Sequence, residues 1–233
     1  MRAVVTGGAG DMGQAIVARL NRDGYYVYAA DLKAGPVPEK GEAVALDVTD
    51  RAAVFALAER AGADGGLAVW VNAAGIFIPC DVLDAAEADW SRIIAVNLTG
   101  VFHGCAAAMS VMMRSGGGRI INIGSISGQV GGTAVHPAYG ASKAGVHALT
   151  KTYALEGARL GVLCNAVAPG LLGGAMSSQF SQQQRDRLAR STPLGRLGEM
   201  SEIADVVVFL AGPGASYMNG AVVPVNGGAL MPS

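Results

Sequence analysis

Charge is scarce in this chain. Only 15% of its 233 residues are charged, and 17 basic against 18 acidic side chains leave a formal net charge of −1. The basic field that would hold a phosphate backbone is absent, which argues against a nucleic-acid partner. Cysteine is equally sparse. Cys80, Cys105 and Cys164 form no C-x-x-C pair and are too few for a disulfide framework or a zinc cluster. Buried thiols in a reducing compartment are expected, and no metal site. The start, Met1-Arg2-Ala3-Val4-Val5, runs directly into Thr6-Gly7-Gly8 without the apolar region and cleavage site of a secretory leader, so the expected location is cytoplasmic. Ile93 to Met113 carries no formal charge, but Asn97, Thr99, His103, Gly104 and Ser110 interrupt it. It reads as a helix buried on most of its surface, with no membrane partner.

What the chain has in quantity is apolar surface. Hydrophobic residues make up 51% of it and the mean hydropathy is +0.37, the reverse of a disordered composition. The 34 glycines follow no Gly-X-Y period, which excludes collagen. A chain this long buries roughly 70–75% of its unfolded surface in one core. Apolar β-branched runs alternate with helical patterns from end to end, the mark of βαβ units around a parallel sheet. Strands are expected at Ala3–Thr6, Tyr26–Ala30, Ala43–Leu46, Ala68–Asn72, Arg119–Gly124, Val162–Ala168 and Ala221–Val225. Helices are expected at Met12–Asp23, Arg51–Ala61, Trp90–Arg114, Tyr139–Leu160 and Ser201–Leu210. Strands so continuously apolar need helices on both faces. The fold class is therefore α/β, a doubly wound parallel sheet in a single domain spanning residues 1–233. Between Asp31 and Asp47, Gly35, Pro36, Pro38 and Gly41 break a helix, so this crossover is predicted to be a loop. The polar segment Met176–Thr192, within a stretch of about 171–200, reads either as a lid or as a solvated surface helix.

Thr6-Gly7-Gly8-Ala9-Gly10-Asp11-Met12-Gly13 closes the first strand and opens the first helix. In that setting free N–H groups at a helix start face the pyrophosphate of a dinucleotide. Gly7 and Gly13 suit the tight turn and close helix–strand packing, and Asp11 and Met12 lie between them. Asp31 ends the second strand 18 residues past Gly13, near the spacing of an acid that binds an adenosine ribose, and Leu32 follows it. A carboxylate there accepts from ribose hydroxyls and repels a 2′-phosphate, which favours NAD over NADP; Lys33 nearby weighs the other way.

With these landmarks in order, together with Asp47-Val48, Asn72-Ala73-Ala74-Gly75, Asn97, Ser125, Tyr139-Gly140-Ala141-Ser142-Lys143 and Pro169-Gly170, the sequence resembles the compact short-chain dehydrogenase/reductase family over nearly its whole length. The resemblance implies a Rossmann-like sheet of about seven strands. It also implies that Asp47 and Val48 flank the adenine and that Asn72, Ala73 and Gly75 shape the strand end beside the cofactor. Read alone, Asn72 is a buried polar residue in need of partners. Pro169, Gly170 and Leu172 then lie at the nicotinamide, with backbone groups of Leu172 placed to hold its carboxamide. Two positions depart from the family. Asp11 stands where glycine is usual, putting a charge near the pyrophosphate unless it turns outward. Leu171-Leu172-Gly173-Gly174 also lacks the threonine that often follows Pro-Gly, and its glycines suggest a mobile approach to the lid.

Carbonyl reduction needs a general acid within reach of the substrate oxygen. Tyr139 and Lys143 are four apart and share one helix face. A neighbouring ammonium lowers a phenol from its ordinary pKa of about 10. Ser125, 14 residues before Tyr139 and at a strand end, is placed to donate to the same oxygen, with Ser127 as its rival. Asn97 is a poor helix-interior residue; the family uses this position to hold a water that relays protons towards the lysine, and Lys143 also binds the nicotinamide ribose. Substrate contacts are expected from Ser125, Gln129, His136, Tyr139, Met176 and Phe180, although His136 reads equally as an ordinary loop histidine. With Ile126, Val130 and Leu171 this wall is largely apolar and suits an alicyclic, aromatic or acyl alcohol more than a sugar.

These features together imply an NAD-dependent oxidoreductase interconverting a secondary alcohol and a ketone. An NADPH-dependent carbonyl or 3-oxoacyl reductase is the second reading, and a cofactor-sensing binding protein without chemistry the third. The resemblance further implies a homotetramer or homodimer, joined through the helices at Trp90–Arg114 and Tyr139–Leu160.

Overall fold

Alternate residues of a strand face opposite sides of its sheet. In the first strand both sets are apolar: Val4 packs into one core with Tyr28, Trp70 and Ile120, and Ala3 and Val5 pack into a second with Val27, Val69 and Ile121. A sheet with two apolar faces must be covered twice. The computed structural model describes residues 1–63, 66–132, 134–174 and 181–231. In it β1 (Arg2–Thr6), β2 (Tyr26–Asp31), β3 (Gly41–Ala45), β4 (Leu67–Asn72), β5 (Gly118–Ile123), β6 (Val162–Pro169) and β7 (Val222–Val225) form one sheet in the order β3-β2-β1-β4-β5-β6-β7. Every neighbouring pair is parallel.

The helices are α1 (Asp11–Arg22), α2 (Arg51–Ala63), α3 (Glu87–Ile94), α4 (Gly100–Met112), α5 (Ser127–Val130), α6 (Pro137–Gly157), α7 (Gln182–Ser191) and α8 (Met200–Ala211). Ile16 and Leu20 of α1 and Ile203, Val207 and Leu210 of α8 fill one core; Val54, Leu57, Val101, Met112 and Val146 of α2, α4 and α6 fill the other. This is the doubly wound α/β fold expected from the strand pattern. No helix forms across residues 32–40 between β2 and β3, as the prolines and glycines there predict.

The expected helix over Trp90–Arg114 differs in detail. It begins at Glu87, with Glu87 and Asp89 in its first turn favouring the helix dipole. It is interrupted by a π-helical turn over Ala95–Thr99 that carries Asn97 inward, as π turns at functional sites often do. By length and composition Glu87–Met112 is apolar enough to cross a bilayer, yet Ile93, Val101, Cys105, Ala108 and Met112 along it are buried in the protein.

His147 on α6 is buried, its ring set against Gly124 and Gly128, where no Cβ would fit. Its Nε2 finds no hydrogen-bond partner among the described residues. Burial first, then the charges of Lys143 and Lys151, push its pKa from 6.5 down to about 4. The unfolded chain therefore takes up this proton before the folded one, and stability is lost as pH falls from 6.5 towards 4. At about 1.4 kcal/mol per pKa unit the loss is of order 3 kcal/mol. NMR should find this imidazole still neutral at pH 5, and His147→Leu should flatten the decline of melting temperature with acid.

Candidate active site

The winding of the sheet reverses between β1 and β4, which leaves a crevice at their C-terminal ends. The loop after β1 enters it through Gly7 at φ +71, where a Cβ would lie 2.7 Å from the Ala74 nitrogen. Gly13 approaches so closely that its Cβ would fall on the Gly7 carbonyl. Thr6 ties the two strand ends together: its hydroxyl accepts from the N–H groups of Ala73 (3.2 Å) and Ala74 (3.4 Å) and donates to the Val71 carbonyl. Gly10 caps α1 without a side-chain hydrogen bond, so first-turn N–H groups such as those of Met12 and Gly13 point out of the helix start. That arrangement favours an anion.

Asp31 holds the loop from the side. Its Oδ2 accepts from the Ala9 N–H at 3.0 Å and its Oδ1 from the Leu32 N–H at 2.8 Å, and each oxygen keeps a lone pair for a hydroxyl donor. Asp47 accepts from the N–H and hydroxyl of Thr49, which hold its carboxyl below the usual range. The Val48 side chain is in the core, while its carbonyl lies 3.0 Å from the ring Nδ1 of His103. Beyond β6, Gly170 donates to the Val225 carbonyl at 3.0 Å and Leu172 pairs with Gly198. A cradle without side chains, an uncapped helix start and an acid at the next strand end suit a dinucleotide. The Asp11 carboxylate lies close to the chain after β6, where a Cβ on Gly174 would come within 2.9 Å of its Oδ2.

The candidate proton-handling residues lie on the other side of the crevice. Lys143 is buried, and its Nζ donates to the Ile123 carbonyl at the end of β5 at 2.8 Å. Burial lowers its pKa to about 8, which still leaves it mostly charged at neutral pH. Tyr139, one turn earlier on α6, places its ring centroid 5.8 Å from that Nζ. The Ser125 hydroxyl acts on the Tyr139 phenol, drawing its pKa down, and its Oγ accepts from the Ser127 N–H at 3.1 Å. Of the two serines, Ser125 is the one that acts on the phenol, and Ser127 lines a neighbouring cleft. Burial pushes the phenol above its ordinary value, with the Ser125 bond pulling the other way. The expectation of a phenol held low by its lysine is not met in this structure, where burial raises its pKa and Ser125 is the group that lowers it.

Asn97 is buried, and its carboxamide grips the Ile76 backbone, accepting from the N–H at 2.8 Å and donating to the carbonyl at 2.9 Å. A Cβ on Gly75 would lie 3.5 Å from Asn97 Oδ1 and 3.7 Å from Lys143 Nζ, so these three residues converge.

Two other expected site residues have their polar atoms engaged within the protein. Asn72 faces the core: its Oδ1 accepts from Trp70 Nε1 at 2.7 Å and its Nδ2 donates to Asn122 Oδ1 at 2.8 Å. The strand end reaches the crevice through Ala73, Ala74 and Gly75 instead. His136 is buried and caps α6, its Nδ1 accepting from the Ala138 N–H at 3.2 Å while Nε2 lies 3.0 Å from the Ala86 carbonyl. Both of its nitrogens are engaged by backbone groups at the edge of the cleft that Gln129 also lines. Met176 and Phe180 lie outside the described residues.

Gln129 lines a cleft of about 1130 Å³ beside the site, with Pro79, Cys80, Ser127, Gly131 and Gln184. Gln184 sits on α7, a solvated helix with no buried residue. Phe77 was not anticipated. It packs edge-on against Tyr139 with ring centroids 5.2 Å apart, and only its nearness to the Asn72–Gly75 run could have drawn attention to it.

A doubly wound sheet with a glycine-lined crevice at its switch point, and a Ser–Tyr–Lys cluster facing it, defines a nucleotide-dependent enzyme of the α/β class. Comparison with known proteins narrows this. A family model described as enoyl-(acyl carrier protein) reductase matches residues 7–229. The chain is 37% identical over 249 residues to the (3R)-3-hydroxyacyl-CoA dehydrogenase of Mus musculus, covering 98% of this chain and 96% of that protein. It is 36% identical over 234 residues to the 3-oxoacyl-(acyl-carrier-protein) reductase of Haemophilus influenzae, covering 97% and 96%. It is 38% identical over 239 residues to the galactitol 2-dehydrogenase (L-tagatose-forming) of Cereibacter sphaeroides, covering 97% and 93%. The chain belongs to the short-chain dehydrogenase/reductase family and is an NAD(P)-dependent oxidoreductase acting on CH–OH groups.

The buried position of Asn72 is testable. Asn72→Ala leaves Trp70 Nε1 without its partner and Asn122 Oδ1 with only the Cys105 thiol, and should cost about 2–4 kcal/mol of stability. Denaturant melts should show that loss, while fluorescence titration finds NADH affinity of the folded protein within about twofold of the original.

Proposed function

We propose that this enzyme interconverts a secondary alcohol and a ketone using NAD, with Tyr139 as the proton-exchanging acid and base. The observation that carries the reading is Tyr139 one helical turn from the buried Lys143, whose Nζ lies 5.8 Å from the Tyr139 ring centroid, with Ser125 acting on the phenol. When bound, the nicotinamide accepts the hydride from the carbinol carbon or supplies it to the carbonyl carbon. In the reductive direction Tyr139 enters as a neutral phenol, the form that its burial favours, and gives its proton to the substrate oxygen. Lys143, fixed by the Ile123 carbonyl, stabilises the phenolate left behind and binds the nicotinamide ribose. Ser125 donates to the substrate oxygen as charge develops on it. Asn97, anchored on Ile76 beside Lys143, holds the water that returns the proton. In the oxidative direction each transfer runs backwards.

Asp31 supports NAD as the cofactor, because its carboxylate sits at the strand end where a 2′-phosphate would meet it. An NADPH-dependent 3-oxoacyl reductase is the second reading, supported by the name of the Haemophilus influenzae relative. The apolar residues Ile126 and Leu171, with Gln129 in the adjoining cleft, favour an alicyclic, aromatic or acyl alcohol. Segment 171–200 serves as the substrate lid of a one-domain enzyme, with Gln184 at the cleft in support. A homodimer or homotetramer would bury Trp90, Phe102 and Leu155, which are 44%, 42% and 78% exposed. A cytoplasmic setting accords with three free cysteines.

Tyr139→Phe should lower kcat by about a thousandfold or more with NADH affinity retained, measured by steady-state assay and fluorescence titration. Turnover near that of the unaltered enzyme would end the assignment. In a panel of secondary alcohols, kcat/KM with NAD should exceed that with NADP by about tenfold or more, and Asp31→Ala should narrow the ratio.

A further inference from the structure

We propose that Phe77 is a positioning residue for the proton transfer: its ring fixes the orientation of the Tyr139 phenol, and the loop that carries it is fastened so as to hold it there. The proposal rests on the assignment of Tyr139 as the acid and base. A phenol gives up its proton only while its oxygen stays within hydrogen-bond reach of the substrate. A displacement of about 1 Å can cost a hundredfold in rate. Tyr139 is only partly buried, so its ring depends on the neighbours it touches. Phe77 is one of them, edge-on, with ring centroids 5.2 Å apart and planes at 84°. In that arrangement the positive edge of one ring meets the negative face of the other.

Phe77 serves neither core. It is partly buried and, among the described residues, packs into neither hydrophobic cluster beside the sheet. Its main chain is nevertheless fixed on both sides. Ile76, before it, donates its N–H to Asn97 Oδ1 at 2.8 Å, and its carbonyl accepts from Asn97 Nδ2 at 2.9 Å. Ile78, after it, accepts through its carbonyl from the His136 N–H at 3.0 Å. The His136 carbonyl in turn accepts from the Tyr139 N–H at 2.9 Å. A closed circuit results, running from Phe77 through Ile78, His136 and Tyr139 and back across the two rings. His136 cannot drift within it, because Nδ1 accepts from the Ala138 N–H at 3.2 Å and Nε2 lies 3.0 Å from the Ala86 carbonyl. A ring outside the core, with anchored residues on either side of it, is how a supporting side chain holds a reacting one to its geometry.

Steady-state kinetics of the full chain, with NAD and the fastest secondary alcohol of the panel above, test this. Phe77→Ala should lower kcat by about tenfold or more while KM for the alcohol moves by less than about threefold. Phe77→Tyr keeps the ring and should restore kcat to within about threefold of the original. In a Tyr139→Phe background, Phe77→Ala should remove less than about a further twofold, because the hydroxyl it positions is already gone. A raised KM at unchanged kcat would overturn the proposal, since Phe77 would then be substrate wall alone. Full additivity of the two substitutions would overturn it too, as would a lowered melting temperature with kcat per folded enzyme unchanged. If Tyr139→Phe by itself keeps turnover near that of the unaltered enzyme, the acid–base assignment fails instead, a result distinct from these.

Discussion

The cleft depends on two backbones meeting with no side chain between them. Gly7 lies against the Ala73–Ala74 peptide and Gly13 against the Gly7 carbonyl, so β1, β4 and α1 converge within a space that a single methyl group would open. Thr6 locks that convergence by bonding across to Val71, Ala73 and Ala74. The chain leaving it by way of Gly75 and Ile76 is the one that Asn97 grips, and Gly75 is also where Lys143 comes nearest. The nucleotide side and the proton side of the cleft therefore inherit their separation from one close approach of main chain.

The second constraint is electrostatic. Burying an ammonium is unfavourable unless a partner replaces water, and Lys143 finds that partner in a strand carbonyl that is itself fixed by the sheet. The lowered pKa of about 8 keeps the group charged near neutrality but leaves little reserve. One turn further along α6, His147 is held neutral by the same burial and by the two flanking lysines. A second positive charge is thus kept out of the helix face that carries the chemistry. Tyr139 rests as a neutral phenol in this setting, suited to giving a proton before taking one.

Much of this was legible in the residues. Seven β-branched runs became seven parallel strands, since apolar residues on both faces leave a strand no alternative to burial between helices. The proline- and glycine-rich crossover after β2 likewise has no helix. The break within Glu87–Met112 was not visible, because a π turn needs one polar residue drawn inward and leaves composition unchanged. Within the site, i to i+4 spacing placed Tyr139 and Lys143 on one face, but spacing carries no information about solvent, so the rise in the phenol's pKa was missed. The partners of His136 and Asn72 were hidden for a related reason. Their side chains bond to groups 50 residues away in sequence, the Ala86 carbonyl and Asn122, and no local pattern announces such partners.

The distribution of sulfur has a practical corollary. Cys105 and Cys164 are buried against Asn122 under the sheet, whereas Cys80 is partly exposed and lines the wall of the large cleft. The chain therefore presents a single partly exposed thiol, already on the wall of that cleft. A maleimide dye attached there would report on ligand arrival in real time, with no cysteine to add and none to remove.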